Sequence, residues 1–139
     1  MSDSFGLQRF LDAQAHTYDQ ALAELRAGEK RTHWMWFVFP QLAGLGRSGM
    51  AQRFAIAGLE EARAYLSHPT LGRRLVESAR ALTDLDTADP VQVFGSVDAQ
   101  KLCSSMTLFA RAAPDEPVFR AVLDHYFEGT EDDATTSLL

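Results

Sequence analysis

KRTHWMWFVFPQLAGLGRS, Lys30 to Ser48, contains the one segment of this chain whose reading separates an all-α fold from one with a strand. His33-Trp34-Met35-Trp36-Phe37-Val38-Phe39 is too short and too uniformly apolar for periodicity to choose between a buried strand and a buried turn of helix. A strand needs a partner, and nothing else in the sequence pairs with it. Pro40 pushes Phe39 out of the α region, and Gly44 and Gly46 then allow tight, left-handed turns before Ser48, which can cap a helix. The stretch reads as a structured loop with aromatic walls inside a helical protein.

Working outward, Phe5, Leu7, Phe10 and Leu11 recur at helical spacing behind Ser4, a candidate N-cap, and predict a helix over about residues 5 to 13. Thr17-Tyr18-Asp19-Gln20 has the form of a capping box, with Ala21, Leu22 and Leu25 behind it and Gly28 where a C-cap glycine belongs. Leu59, Ala62 and Leu66 mark a helix that stops at His68-Pro69, and the fixed φ of Pro69 opens the next, which Leu71, Leu75, Ala79 and Leu82 carry to about Leu85. Asp89-Pro90 starts a short helix ending at Gly95. Asp98, Leu102, Met106 and Phe109 predict another over about 96 to 112, and Pro117 to Phe127 forms the last. The fold expected is an all-α, single compact globular domain over residues 1–129, an irregular bundle of about six or seven short helices. The acidic tail EDDATTSLL has little to bury, and residues 130–139 are expected to be disordered.

At 139 residues the chain suits one core, and 46% apolar with 23% charged residues is the balance of a globular protein. A net charge of -6 without a run of basic residues argues against broad nucleic-acid binding. No apolar stretch approaches the ~18 residues of a membrane span, and MSDSFGLQRF lacks the features of a secretory signal, so cytoplasm and no membrane partner are expected. A single cysteine, Cys103, excludes an internal disulfide framework and a cysteine zinc site. His16, His33, His68 and His125 show no metal-ligand spacing, so no metal and no cofactor are called for. A monomer is favoured.

The chemistry concentrates in three blocks. Trp34, Trp36, Phe37 and Phe39 crowd aromatics that can wall a stacking pocket, although core packing is the favoured reading of Phe37 and Phe39 and stands level with the pocket for the tryptophans. Lys30, Thr32, His33 and Gln41 bracket them with polar groups suited to a ligand, His33 being the candidate acid or base. Gly44 to Ser48 can hold a phosphate at a helix start, with turn and cap as the alternative. In the second block His68 lies at a helix junction and Arg74 is a candidate anion contact; otherwise His68 is an N-cap and Gly72 relieves close helix packing. In the third, Asp98, Lys101 and Ser105 share one helix face and Ser104 and Thr107 flank it, so Asp98 and Lys101 are either catalytic or a surface pair. Cys103, beside Leu102 and Met106, reads as a buried inert thiol.

HWMWFVFPQLAGLGRS with Lys30, EARAYLSHPTLGRRL from Glu61 and FGSVDAQKLCSSMTLF from Phe94 together resemble the domain of unknown function 1810 family, small bacterial and archaeal proteins sometimes labelled calpastatin. The resemblance covers about residues 5 to 127 and implies a mostly α-helical fold, with no activity to transfer. A more distant similarity to helical N-glycosidases acting on ADP-ribose-type nucleotides transfers no residue. The functional expectation is a small-molecule site for an anionic, nucleotide-like ligand, with N-glycosidic hydrolysis by Asp98, His33 and Lys101 as the reaction to test. The alternative is a non-catalytic nucleotide- or protein-binding domain.

Overall fold

The computed structural model describes residues 3–139, which form nine helices and no strand. They are α1 (Gln8–Gln14), α2 (Tyr18–Ala27), α3 (Met35–Val38), α4 (Gly49–Arg53), α5 (Leu59–Ser67), α6 (Pro69–Thr83), α7 (Pro90–Ala112), α8 (Pro117–Phe127) and α9 (Asp133–Leu138). The fold is all-α, with nine helices among the described residues where six or seven short ones were expected, and the two expected on either side of Gly95 run together as the 23-residue α7. The ambiguous aromatic run is helical: Met35 to Val38 make one turn, and Phe39 leaves it at φ -124 as the following proline requires. Extended pairing is confined to an isolated bridge between Leu42 and Ile56.

Prolines and glycines set several boundaries. Pro69, Pro90 and Pro117 each occupy the first turn of their helix, behind side-chain caps from His68, Asp89 and Glu116. Gly28 closes α2 at φ 76, and Gly95 breaks α7 at φ 80 and ψ 165, a conformation open to glycine and costly to other residues. Two expected caps are absent. Ser4 gives way to Asp3, whose carboxylate accepts from the N–H groups of Leu7 (2.7 Å) and Gln8 (2.8 Å). The Thr17 capping box does not form, because Gln20 donates to Glu24 one turn on.

One cluster of buried residues draws on every helix except α4 and α9. Its spine is aromatic: Phe10 meets Tyr65 edge-on at 5.1 Å, Tyr65 meets Phe109 at 5.5 Å, and Phe109 meets Phe119 at 5.8 Å, linking α1, α5, α7 and α8. Such pairs contribute about 1 kcal/mol each beyond their burial. A second group seats the Lys30 to Ser48 segment. Trp34, Phe39 and Phe94 form a triangle with ring separations of 6.2 to 6.3 Å, and the Lys30 N–H donates to the Val93 carbonyl at 2.8 Å. The loop is thereby fixed to the first part of α7, just before its glycine break.

The acidic tail, expected to be disordered, is folded. Asp132 is buried and accepts from Gln100 Nε2 (2.6 Å), Ser104 Oγ (3.1 Å), Thr135 N (3.0 Å) and Thr135 Oγ1 (2.6 Å), while its own N–H donates to Thr107 Oγ1 at 2.9 Å. Glu131 adds a two-pronged contact to Arg111, both prongs 2.7 Å, and a third to Arg120. Asp132→Ala is expected to detach α9 at a cost of about 2 kcal/mol, since it strands several buried donors. Urea denaturation and faster amide exchange over residues 133–139 would register it; unchanged exchange would mean that other contacts hold the helix.

Candidate functional site

The site begins with a carboxylate that sequence reasoning passed over. Glu24 lies on the inner side of α2, 4% exposed, and its oxygens accept from the N–H groups of Arg31 (2.7 Å) and Thr32 (3.0 Å), from Thr32 Oγ1 (2.7 Å), from Gln20 Nε2 (2.9 Å) and from the Trp34 indole at 2.9 Å. Burial alone would raise its pKa, but these donors outweigh burial and hold the carboxyl at about 2. A signal was present: a buried tryptophan needs an acceptor, and Glu24 is the charged residue amid the apolar positions of α2.

On this anchor the loop presents Lys30, whose side chain is only 8% exposed. Its ammonium donates to the Thr32 carbonyl at 2.6 Å, pairs with Asp98 at 2.9 Å and lies 5.1 Å from the Trp34 ring centre. Lys101, one turn after Asp98 on α7, reaches the other carboxylate oxygen at 3.6 Å and lies 5.0 Å from the Trp36 ring. Asp98 and Lys101 keep 20% and 23% exposure. Two ammonium groups thus share one carboxylate, each against an indole, and the cluster carries one net positive charge at the surface. Each cation–π contact contributes about 1 kcal/mol when partly desolvated. The first and third sequence blocks therefore meet at Lys30, Trp34, Trp36, Asp98 and Lys101. Trp34 is fully buried and so belongs to the floor, whereas Trp36 is partly exposed.

Most of the remaining candidates have other occupations. His33 is exposed beside Trp34, and the backbone carbonyl of Gln41 accepts from Ile56 N–H at 2.8 Å. Ser48 caps α4 by accepting from Ala51 N–H at 3.1 Å, and His68 caps α6 through Nδ1, which accepts from the N–H groups of Thr70 and Leu71 at 3.1 and 3.3 Å. Arg74 donates to Gln14 at 3.2 Å and lies over the Tyr18 ring, in a network with Tyr65 and Glu77 that joins α1, α2, α5 and α6. Ser104 and Thr107 serve the docking of α9. Ser105 is fully buried, and its hydroxyl has no hydrogen-bond partner among the described residues. Burial pushes the Cys103 thiol up to about 11, with Asp132 adding to the effect, so the thiol stays protonated at neutral pH.

These features define a small helical domain with a lysine–aspartate–lysine cluster set on an indole floor. The chain belongs to the family described as protein of unknown function (DUF1810), whose model matches residues 4–139. It is similar to the crystal structure of the conserved hypothetical protein Rv1873 from Mycobacterium tuberculosis, with 52% identity and a TM-score of 0.97 over 99% of this chain and 98% of that one. No curated protein matches it. Among the described residues no helix is long and apolar enough to cross a membrane.

Proposed function

We propose that the Lys30–Asp98–Lys101 cluster binds a small anionic, nucleotide-like ligand. One observation carries this reading: two ammonium groups compete for one carboxylate, and the looser of them, Lys101 at 3.6 Å, sits over the partly exposed Trp36. A phosphate of the ligand takes Lys101 from Asp98, and a planar base finds the Trp36 face beside it. Lys30, buried and triply engaged, stays with the protein.

A second reading is hydrolysis of an N-glycosidic bond, with Asp98 supporting oxocarbenium character and the exposed His33 as acid or base. It ranks lower because a carboxylate compensated by two lysines has little field left for a developing cation. Hydrolysis requires that the ligand first draw Lys101 away.

Calorimetric titration with AMP and ADP-ribose, alongside assays for release of ribose or nicotinamide from ADP-ribosylated and dinucleotide substrates, separates the readings. Lys101→Met is expected to weaken binding by about ten-fold, the scale of one charge-assisted contact. Asp98→Asn is expected to bind at least as tightly as the unaltered protein, because it removes the competitor for Lys101. An enzyme would lose turnover in that variant. Turnover absent from the unaltered protein ends the hydrolase reading, and failure to bind either nucleotide ends both.

A further inference from the structure

We propose a second ligand site in the groove along α6, suited to a small organic molecule that carries two oxyanionic groups on an apolar frame. The groove encloses about 710 Å³, within the range of small-molecule sites, and none of the candidate residues discussed above for ligand binding lines it. It runs along one exposed stripe of α6, with Arg26 from the last turn of α2 on one side and the connection into α8 on the other.

Its cations are unemployed. Among the described residues, Arg26, Arg47, Arg73 and Arg80 are the lysine and arginine side chains that make no hydrogen bond, ion pair or ring contact, and all but Arg47 line this groove. The lining also carries Glu77, Asp84 and Glu116, so its formal charge sums to zero, yet no guanidinium pairs with a carboxylate. Two of these acids have other work. Glu77 accepts from the Tyr18 hydroxyl at 2.5 Å, and Glu116 caps α8 by accepting from Val118 N–H at 3.1 Å. Glu77 and Glu116 keep their charge but have oxygens engaged within the protein, whereas the three guanidinium forks and Asp84 make no such contact.

Spacing specifies the ligand further. Arg73 and Arg80 lie two turns apart on the same helix, about 10 Å along its axis at 1.5 Å per residue. Two oxyanions so separated can each meet a planar fork, which holds a carboxylate, phosphate or sulfonate through paired N–H donors. Leu66, Val76 and Leu85 line the same groove and suit an apolar frame. One wall of the groove is closely packed. Gly72 in its wall lies so close to α5 that an added Cβ would come within 2.0 Å of the Leu66 carbonyl oxygen.

The test uses biphenyl-4,4′-disulfonate, a stiff apolar frame whose two anions match that spacing, and biphenyl-4-sulfonate, which has one. By calorimetry the disulfonate is expected to bind at least ten-fold more tightly than the monosulfonate. The Arg73→Gln/Arg80→Gln variant is expected to erase that advantage. Both side chains are exposed, so the helix survives the exchange, and circular dichroism verifies this. Lys101→Met is expected to leave disulfonate binding unchanged. Equal affinity for the two probes, no binding of the disulfonate at millimolar concentration, retention of the advantage in the double arginine variant, or loss in Lys101→Met would each overturn the proposal.

Discussion

Gly72→Ala is expected to destabilise the protein by roughly 3 kcal/mol, although helix propensity alone favours alanine by about 1 kcal/mol. The added Cβ would stand 2.0 Å from the Leu66 carbonyl oxygen, 2.9 Å from its carbonyl carbon and 3.3 Å from its Cα, all backbone atoms of α5 that cannot rotate aside. Nor can the corner between α5 and α6 open freely. His68 N–H donates back to the Ala64 and Tyr65 carbonyls, its Nδ1 caps α6, its carbonyl accepts from Gly72 N–H at 2.9 Å, and Pro69 fixes the first φ. Relief must come from moving α5 as a body, which disturbs fully buried Tyr65 and its contacts with Phe10 and Phe109. Urea denaturation of the variant measures the effect. A neutral or stabilising outcome would show that the two helices pass farther apart than described.

The Gly72 effect rests on a local signal, and local signals are what sequence reading recovers well. Gly72, three residues after Pro69, reads as relieving close helix packing where the junction is not a ligand site, and the prolines at 69, 90 and 117 and the glycines at 28 and 95 mark helix ends that the backbone obeys, because proline fixes φ and glycine takes positive φ at little cost whatever surrounds them. Long-range polar pairing was not legible. Ser104 and Thr107 read from the sequence as flanking the Asp98–Lys101 face, and residues 130–139 as having too little to bury, yet each answers the other through Asp132. The site shows the same split. Lys30, the tryptophans, Asp98 and Lys101 were named from their chemistry and do converge. Ser48 and His68 were named on the same grounds and prove to be caps, since a nearby backbone N–H is an easier partner than a distant ligand. Glu24 was missed because its role depends on donors from a loop beyond its own helix.

Glu24→Ala is expected to cost about 4 kcal/mol and to remove the proposed ligand binding at the Lys30 cluster along with it. The Arg31, Thr32 and Trp34 donors would each lose a buried acceptor, at roughly 1–3 kcal/mol apiece and less than additively. Those residues form the turn that places Lys30 beside Asp98, so the ammonium would lose its seat even where the rest of the fold survives. Glu24→Gln is no mild substitute: its amide keeps one acceptor oxygen but aims an NH2 group at N–H donors. Acid provides an independent reading. The carboxyl sits at about 2 in the folded protein against an ordinary value of 4.5, so its contribution, about 3 kcal/mol, is complete above pH 4.5 and fades as the pH falls towards 2. Trp34 and Trp36 are the chain's two tryptophans, and the first is bonded to Glu24 itself, so indole emission followed through acid titration reports on this seat directly. The unaltered protein should lose stability in urea steeply between pH 4.5 and 2, and Glu24→Gln, already less stable, should show a shallower decline. Parallel curves would mean that the acid sensitivity resides in other carboxylates, such as Glu131, which its hydrogen bonds to Arg111 hold at about 2 as well.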